Sequence, residues 1–596
     1  MWNTARQCFI AILFLAGVVH AATPADPAKV LRTPFTAADA GFDGALTSNA
    51  YSGSVNEAIF ERLLTYDYMA RPAKLVPGTA EAMPEISNGG KTFIFHLRKG
   101  IYFTPDQAFK GKRRELIAGD YAYTFKRVLD PQNRSPINSF LAGKIVGLDE
   151  LAAQAKKTGR FDYDAPVSGL QTPDRYTLRI ELNAPDYNFL YVMAFPSGLG
   201  AVAREIIEAY GQHTGEHPVG TGAYMLQQYI PGSKIILVAN PYYRGFVWDF
   251  KASDEAGDAQ IVRAMQGKKM PQIGRVEISI IQEEQSRWLA FADKQIDLDF
   301  LPQLAAPKVM NGDKLKPEYA QQGIHLYRAL EPGITYTIFD MTDPVVGGYG
   351  KEKIALRRAI AMAYNTQEEI SLIRNGQAIQ SEMLIPPGVA GFDPHYRSSI
   401  GYDPVLANKL LDYLGYKRGA DGYRTMPDGK PLVLQMHREA EVIDTEMAEL
   451  WKRDLDRIGI RAEYPVSSFQ DNVKAGQECK LMMWESAWLA DYPDGENFLQ
   501  LLYGPNAHQG NIACYQSAAF DALYKEAMAL PPSPERTHVY AQMNRQMEAD
   551  TPWLVGVTRI RNWVSQPWVM GFKKNPILNA EWQYMDVEKN QEKSGQ

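Results

Sequence analysis

Apolar residues recur along this chain at two different spacings, and the spacing changes from segment to segment. In 92–97, Phe93, Phe95 and Leu97 fall on one face at every second position, which predicts a hairpin strand after the Gly89-Gly90 break. Tyr176, Leu178 and Ile180 repeat that alternation and predict another strand, while 121–128 between them reads as helix. The 152–164 stretch is polar and is expected to lie exposed. Further along, 223–238 alternates around Pro231-Gly232, the signature of a second hairpin. The charged, glycine-containing stretch 247–272 reads as an inserted surface loop with room for a helix.

Helical spacing dominates the second half. Asp403-Pro404 supplies an N-cap and a first-turn proline, Ala407, Leu410, Leu411 and Leu414 supply an inward face, and Gly415 fits the left-handed stop. Ile443, Met447, Trp451, Leu455 and Ile458 form a second stripe, ended by Gly459 and followed by alternating Ile460, Ala462 and Tyr464. Helix followed by strand is the order of a mixed α/β unit. No repeat at fixed spacing is visible.

Composition adds scale. The chain has 596 residues, 45% hydrophobic and 22% charged, enough for two or three compact domains, because single cores stop growing near ~250–300 residues. A net charge of -6, from 63 basic and 69 acidic side chains, offers no concentrated basic face for nucleic acid. The short basic run 110–114 reads as a solvated loop. At the start, Arg6 precedes an apolar run from Cys8 to Val19, and Ala21 and Ala22 follow. That run is too short to span a bilayer, which takes ~20 residues, and its layout is that of a cleavable signal peptide covering 1–22. A mature protein in the periplasm is therefore expected. Cys479 and Cys514 would then be the cysteines left, free to form one disulfide or to remain as two buried thiols.

Catalytic patterns are scarce. His213 and His217 sit in HTGEH rather than HExxH, with Gly215 between them and Pro218 after, so a helix presenting both imidazoles to a metal is not expected. Gly220-Thr221-Gly222 is too short for a phosphate cradle, and no GxSxG elbow occurs. No enzyme activity, metal or cofactor is expected.

Several ordered segments carry a resemblance. They are Leu75-Val76-Pro77-Gly78-Thr79-Ala80-Glu81 with 90–103, Pro218 to Tyr224 with Asn240-Pro241-Tyr242-Tyr243, and 356–365. Tyr402-Asp403-Pro404 through Gly415-Tyr416 and Trp488-Leu489-Ala490-Asp491-Tyr492-Pro493-Asp494 with Asn497-Phe498-Leu499 complete the series. Together they resemble the extracytoplasmic solute-binding proteins of family 5, the receptors of oligopeptide, dipeptide and nickel ABC importers. The resemblance implies an α/β, two-lobed periplasmic binding protein fold with an additional inserted subdomain in the first lobe. It implies a base domain of 23–68, 217–334 and 553–596, an inserted subdomain of 69–216, and a second lobe of 335–552. The stretches 104–117, 143–171 and 246–272 are longer than the family pattern needs.

The same resemblance implies a monomeric receptor that closes on a peptide and hands it to the permease subunits of an ABC importer. A sugar oligomer, haem, opine or metal chelate is the same-family alternative; an exported hydrolase or a chaperone-like interaction protein is the alternative of another class. Asp491 is the expected acceptor for a ligand ammonium, because an ammonium leaving water needs a charged partner. Asp494 is a weaker candidate, and both aspartates have a bland reading as supports of the turn at Pro493-Gly495. Trp488 and Trp484 are candidate walls, with a core role equally open to each. Tyr51 is expected to flank the cleft beside a strand-like stretch at 48–51 that pairs with ligand backbone. Arg357 and Arg358 are expected to face solvent or pair locally, with Tyr364 and Asn365 nearer the cleft.

Overall fold

The computed structural model describes residues 25–47, 49–301 and 305–589. The expected signal peptide lies outside the described residues. Among the described residues no helix is long and apolar enough to cross a membrane.

The architecture is mixed α/β with several separate sheets. The first sheet orders the strands Asp26–Phe35, Ile273–Ile280, Lys234–Ala239 and Tyr224–Ile230, with only the first pair parallel. The hairpin expected at 223–238 is its second half. Leu31, Ile235, Leu237, Val276 and Ile278 pack against Val55 and Ile59 of the helix Ala50–Ile59. That helix replaces the strand expected at 48–51, of which Ser48 lies outside the described residues. Asn49 caps it, its side chain accepting from the Ser52 N–H.

A second, antiparallel sheet runs Glu85–Ser87, Thr92–His96, Thr177–Glu181 and Leu170–Asp174. It buries Phe93, Phe95, Leu178 and Ile180 with Tyr121, Phe125 and Val128 of the helix Ala118–Leu129. The polar stretch expected to lie exposed from 152 instead begins inside the helix Leu148–Thr158, whose Leu148, Leu151, Ala152 and Ala155 are buried. Its lysines and glutamine occupy the other face, so the average polarity concealed a helical period.

The third sheet is mixed, in the order Arg461–Glu463, Val433–His437, Met483–Leu489, Gly333–Phe339 and Trp553–Val555. Neighbouring residues of one strand point to opposite faces. Ile338 and Trp484 thus enter one core with Tyr540 and Met543, while Phe339 and Met483 enter another with Leu356, Leu411 and Trp451. The helix Pro404–Tyr413 starts as expected, with the Asp403 side chain accepting from the Leu406 N–H, and Gly415 follows at φ 84. The helix Val442–Arg457 buries Met447, Trp451 and Leu455, as its stripe implies.

A fourth sheet gathers Leu298–Phe300, Val557–Ser565 and His325–Leu330, with Ala378–Gln380 also on the long strand. Two chain segments run from this sheet into the third. One continues from His325–Leu330 through Glu331-Pro332 into Gly333–Phe339; the other passes from Trp553–Val555 through Gly556 into Val557–Ser565. Gly556 is tight against its neighbour: its N–H donates to the Thr335 carbonyl at 2.9 Å, and a β-carbon there would lie 2.5 Å from Thr335 Oγ1. A side chain at 556 would push the two crossings apart.

The segment 246–272 is not a surface loop. Phe246–Val247 pairs with Lys269–Met270, enclosing the helix Asp258–Met265. Trp248 is fully buried and donates from Nε1 to the Tyr584 carbonyl at 3.1 Å, and Met265 and Met270 join the same core. Near the other expected loop, His217 lies beside Asp106 at 2.9 Å and stacks on Tyr210, while His213 is exposed. Cys479 and Cys514 form a disulfide, one of the two states open from sequence.

Candidate ligand-binding cavity

A cavity of about 1830 Å³ lies beside the first of the two crossings and the far part of the long strand, at Arg561 and Trp563. Its boundary is drawn from distant stretches of chain: 33–36 at the end of the first strand, Tyr51, the crossing 325–332, 489–491, and 567–582 near the C-terminus. The folded segment 246–272 contributes Glu255 to Asp258 and part of the following helix. Much of the wall is aromatic. Phe35 and Tyr51 have ring centroids 5.0 Å apart, Phe300 and Trp563 meet edge to face at 5.6 Å, and Tyr327 meets Phe572 at 4.9 Å. Rings held edge to face offer broad apolar area with little rotamer freedom left to lose on binding.

Asp491 lines this cavity just beyond the strand Met483–Leu489. The backbone there is pinned, since the Ala490 N–H donates to the Pro332 carbonyl at 2.8 Å. Asn497, fully buried, then locks the aspartate from both sides. Its Oδ1 accepts from the Asp491 N–H and from Trp488 Nε1, each at 3.0 Å, and its Nδ2 donates to Asp491 Oδ2 at 3.0 Å. Among the described residues Asp491 forms no ion pair. Burial raises its pKa above the ordinary carboxylate value, with the Asn497 hydrogen bond pulling the other way. A carboxylate held against a cavity wall without a counter-cation suits a cationic group brought by a ligand.

Tyr51 also lines the cavity, its hydroxyl hydrogen-bonded to Thr36 Oγ1. The other expected site residues lie elsewhere. Trp484 is fully buried, packs in the core of the third sheet, and donates to Glu439 Oε1 at 3.2 Å. Trp488, two strand repeats later on the same face, packs against that core and reaches the site only through Asn497. Asp494 is buried away from the cavity, held by Arg536 Nη2 at 2.9 Å, the Tyr540 hydroxyl at 2.7 Å and Asn188 Nδ2 at 3.3 Å.

Arg357 does not face solvent either. It is fully buried and donates to the carbonyls of Val346, Gly348, Asp550 and Thr551. Arg358 is half-buried and reaches the Glu548 carbonyl. Tyr364 stacks on Trp451 in a core, and Asn365 caps a short helix. Asn497 is the residue that sequence reasoning passed over; an amide six residues after the aspartate carries no sign of a return contact until the turn at 490–496 is folded.

A ring-lined hollow of this size, running beside a chain crossing and edged by a fixed carboxylate, is suited to holding a solute. The chain belongs to the bacterial extracellular solute-binding proteins, family 5, whose model for the middle region matches residues 74–510. It is therefore an extracytoplasmic protein of the periplasm, in a family of binding proteins rather than enzymes. Among relatives, it is 26% identical over 555 residues to Di/tripeptide-binding protein 1 of Pseudomonas aeruginosa, covering 90% of each chain. It is 25% identical over 549 residues to Heme-binding protein A of Haemophilus influenzae, covering 90% of this chain and 88% of that protein. Its fold is shared with the Helicobacter pylori periplasmic binding protein DppA solved with the peptide STSA, at a TM-score of 0.69 and 21% identity over 94% of this chain and 98% of that one. It is also shared with HbpA2 of Haemophilus parasuis, at 0.71 and 20% identity over 94% and 100%.

Proposed function

We propose that the protein captures a peptide in this cavity and delivers it to an ABC importer. The carrying observation is Asp491, a carboxylate on the cavity wall with Asn497 rather than a cation as its partner. A peptide amino terminus is the cation that site lacks. The volume exceeds the ~300–1,000 Å³ of an ordinary small-ligand pocket, which leaves room for several residues and water. The rings of Tyr51, Phe300 and Trp563 flank the ligand's middle and tolerate varied side chains. At the strand end, 33–35 already pair with 278–280 and Pro34 has no N–H, so apolar contact with these rings, rather than strand pairing, holds the ligand's middle. Several relatives and neighbours are named for peptides, the Pseudomonas di/tripeptide protein and the peptide-bound Helicobacter protein among them. The haem-binding relative marks the other solute class of the family; Asp491 favours the peptide, since a haem carries anionic propionates.

In this reading the crossings at 331–335 and 552–557 divide a first lobe from a second lobe of 335–552. The first lobe joins a base of 23–68, 217–334 and 553–596 to an inserted subdomain of 69–216. The separate sheets and the core at 334–553 support the division between the lobes, whereas the first lobe's core runs from Ala45 through Val219 to Tyr584 and joins the base to the insert. Ligand bridging both lobes favours the closed population, the form an importer distinguishes. A mixture of di-, tri- and tetrapeptides offered to the purified protein should compact it in small-angle scattering. Unchanged dimensions at saturating peptide, or no peptide retained in native mass spectrometry, count against the proposal.

A further inference from the structure

Among the described residues one group of side chains has its donor atoms close enough to share a metal ion: Cys479, His508 and Cys514, all within 4.8 Å of one another. None of the three lines the cavity. Cys479 and Cys514 form the disulfide, and His508 Nδ1 lies 3.4 Å from Cys479 Sγ and 3.0 Å from the Gln477 carbonyl oxygen. A crosslink is complete without an imidazole, so the bond alone does not account for the placing of His508.

The frame around the two sulfurs does not depend on the bond between them. Cys479 follows the helix Phe469–Gln477, where its N–H donates to the Gly476 carbonyl and the Lys480 N–H donates to that of Ala475. Helix and facing loop touch closely, since a β-carbon at Gly476 would lie 3.1 Å from Ile512 Cβ. In that loop Asn511, fully buried, donates to the Tyr503 and Tyr515 carbonyls and accepts from the Tyr515 N–H. Cys479, His508 and Cys514 all hold positive φ, at 54, 67 and 50°, a region that residues other than glycine seldom occupy. These three turns aim two sulfurs and a ring nitrogen at one spot. On a tetrahedral Zn²⁺, with Zn–S of about 2.3 Å and Zn–N of about 2.0 Å, sulfur and nitrogen stand about 3.5 Å apart and two sulfurs about 3.8 Å. The Cys479–His508 separation already matches, and α-carbons 6.0 Å apart let freed sulfurs part by side-chain rotation.

We propose that the reduced protein binds one thiophilic cation of the zinc class through Cys479, Cys514 and His508, with the disulfide as the metal-free state. A dithiol reductant opens the site. Its first thiolate attacks Cys479 Sγ, the less buried sulfur, forming a mixed disulfide and expelling Cys514 as a thiolate that takes up a proton. Its second thiolate displaces Cys479, so the reductant leaves as a disulfide and both cysteines are reduced. The cation then replaces the two thiol protons, and the imidazole binds through Nδ1 with its own proton on Nε2. His508 is exposed, so the fourth position opens to water. The 35-residue loop is thereby closed in either redox state, by a covalent bond or by a metal.

In the test, the full-length protein is reduced with a water-soluble phosphine in the presence of Zn²⁺ and desalted, and its metal is counted. Co²⁺ in place of Zn²⁺ reports thiolate ligation by its charge-transfer absorption. The reduced chain should hold one metal and the oxidised chain none, and reoxidation should expel it. Zn²⁺ should raise the melting temperature of the reduced chain by about 5 °C or more and leave the oxidised one unmoved. His508→Asn keeps the disulfide, and asparagine tolerates the left-handed backbone. It should weaken Zn²⁺ binding by about 10-fold or more, since losing even the partner behind a ligand costs that much. Equal uptake by reduced and oxidised chains, unaltered affinity in His508→Asn, or no metal retained by the reduced chain overturns the proposal. None of these outcomes bears on peptide capture.

Discussion

Replacing Asp491 by asparagine isolates the charge on which ligand capture is argued to depend, because the side chain keeps its shape. In the wild type, Asp491 Oδ2 accepts from Asn497 Nδ2 at 3.0 Å. The substituted amide preserves that bond by turning its oxygen toward Asn497, which leaves its NH₂ facing the cavity. A ligand ammonium then meets a donor instead of an acceptor and loses its countercharge. Hydrogen bonds to charged groups contribute about 1.5–3 kcal/mol, and leaving a desolvated charge unpaired costs somewhat more, so about 3 kcal/mol is expected, roughly 100-fold in Kd. Calorimetric titration of Asp491→Asn with a peptide and with its N-acetylated form measures this as a double-mutant cycle. Acetylation should cost the wild type about as much as the mutation does, and should cost the mutant little. Additive losses, or less than about 3-fold weakening in the mutant, would refute the assignment.

The same residue sets two opposite pH dependences. Its pKa is raised by burial, so the empty folded protein holds this proton more tightly than the unfolded chain. The stability it contributes is therefore fully present below the unfolded value of ~3.9 and is lost as pH rises through the raised folded value. Empty Asp491→Asn should accordingly be at least as stable as the wild type at neutral pH. Peptide affinity should run the other way, falling as pH drops through that raised value, and should be flat there in the mutant.

Two further outcomes test the frame around the site. Arg536→Met leaves Asp494, itself 1% exposed, without its guanidinium partner and should cost about 3–5 kcal/mol in denaturant unfolding; a loss below ~1 kcal/mol would show that Tyr540 and Asn188 suffice. Cys514→Ser opens a 35-residue disulfide loop, for which chain entropy predicts a loss of about 4 kcal/mol. Reduction should bring the wild type to the mutant's melting temperature, and a reduced wild type that melts with the oxidised one would exclude that contribution.

The chain's own pattern determined the local elements wherever a period and a terminator agreed. The alternation of Phe93, Phe95 and Leu97, the hairpin around Pro231-Gly232, and the capped helix from Pro404 to Tyr413 all appear at the expected places. Local spacing and caps act within a few residues, so they are visible without a partner. The order of short segments was enough to point to the family, and Asp491 and Tyr51 do reach the cavity.

Tertiary structure alone decided which apolar face meets a core and which meets a hollow. A two-residue period puts Trp484 and Trp488 on one side of their strand without saying that helices cover that side, so both tryptophans turn inward. Asp494 and Asp491 stand three residues apart in one turn, yet one is locked by Arg536 and the other faces the cavity. The segment 246–272 looked like a solvated loop because the partner of Trp248 is Tyr584, 336 residues away. Burial is a property of the partner as much as of the residue, and those partners come from stretches of chain that meet only after folding.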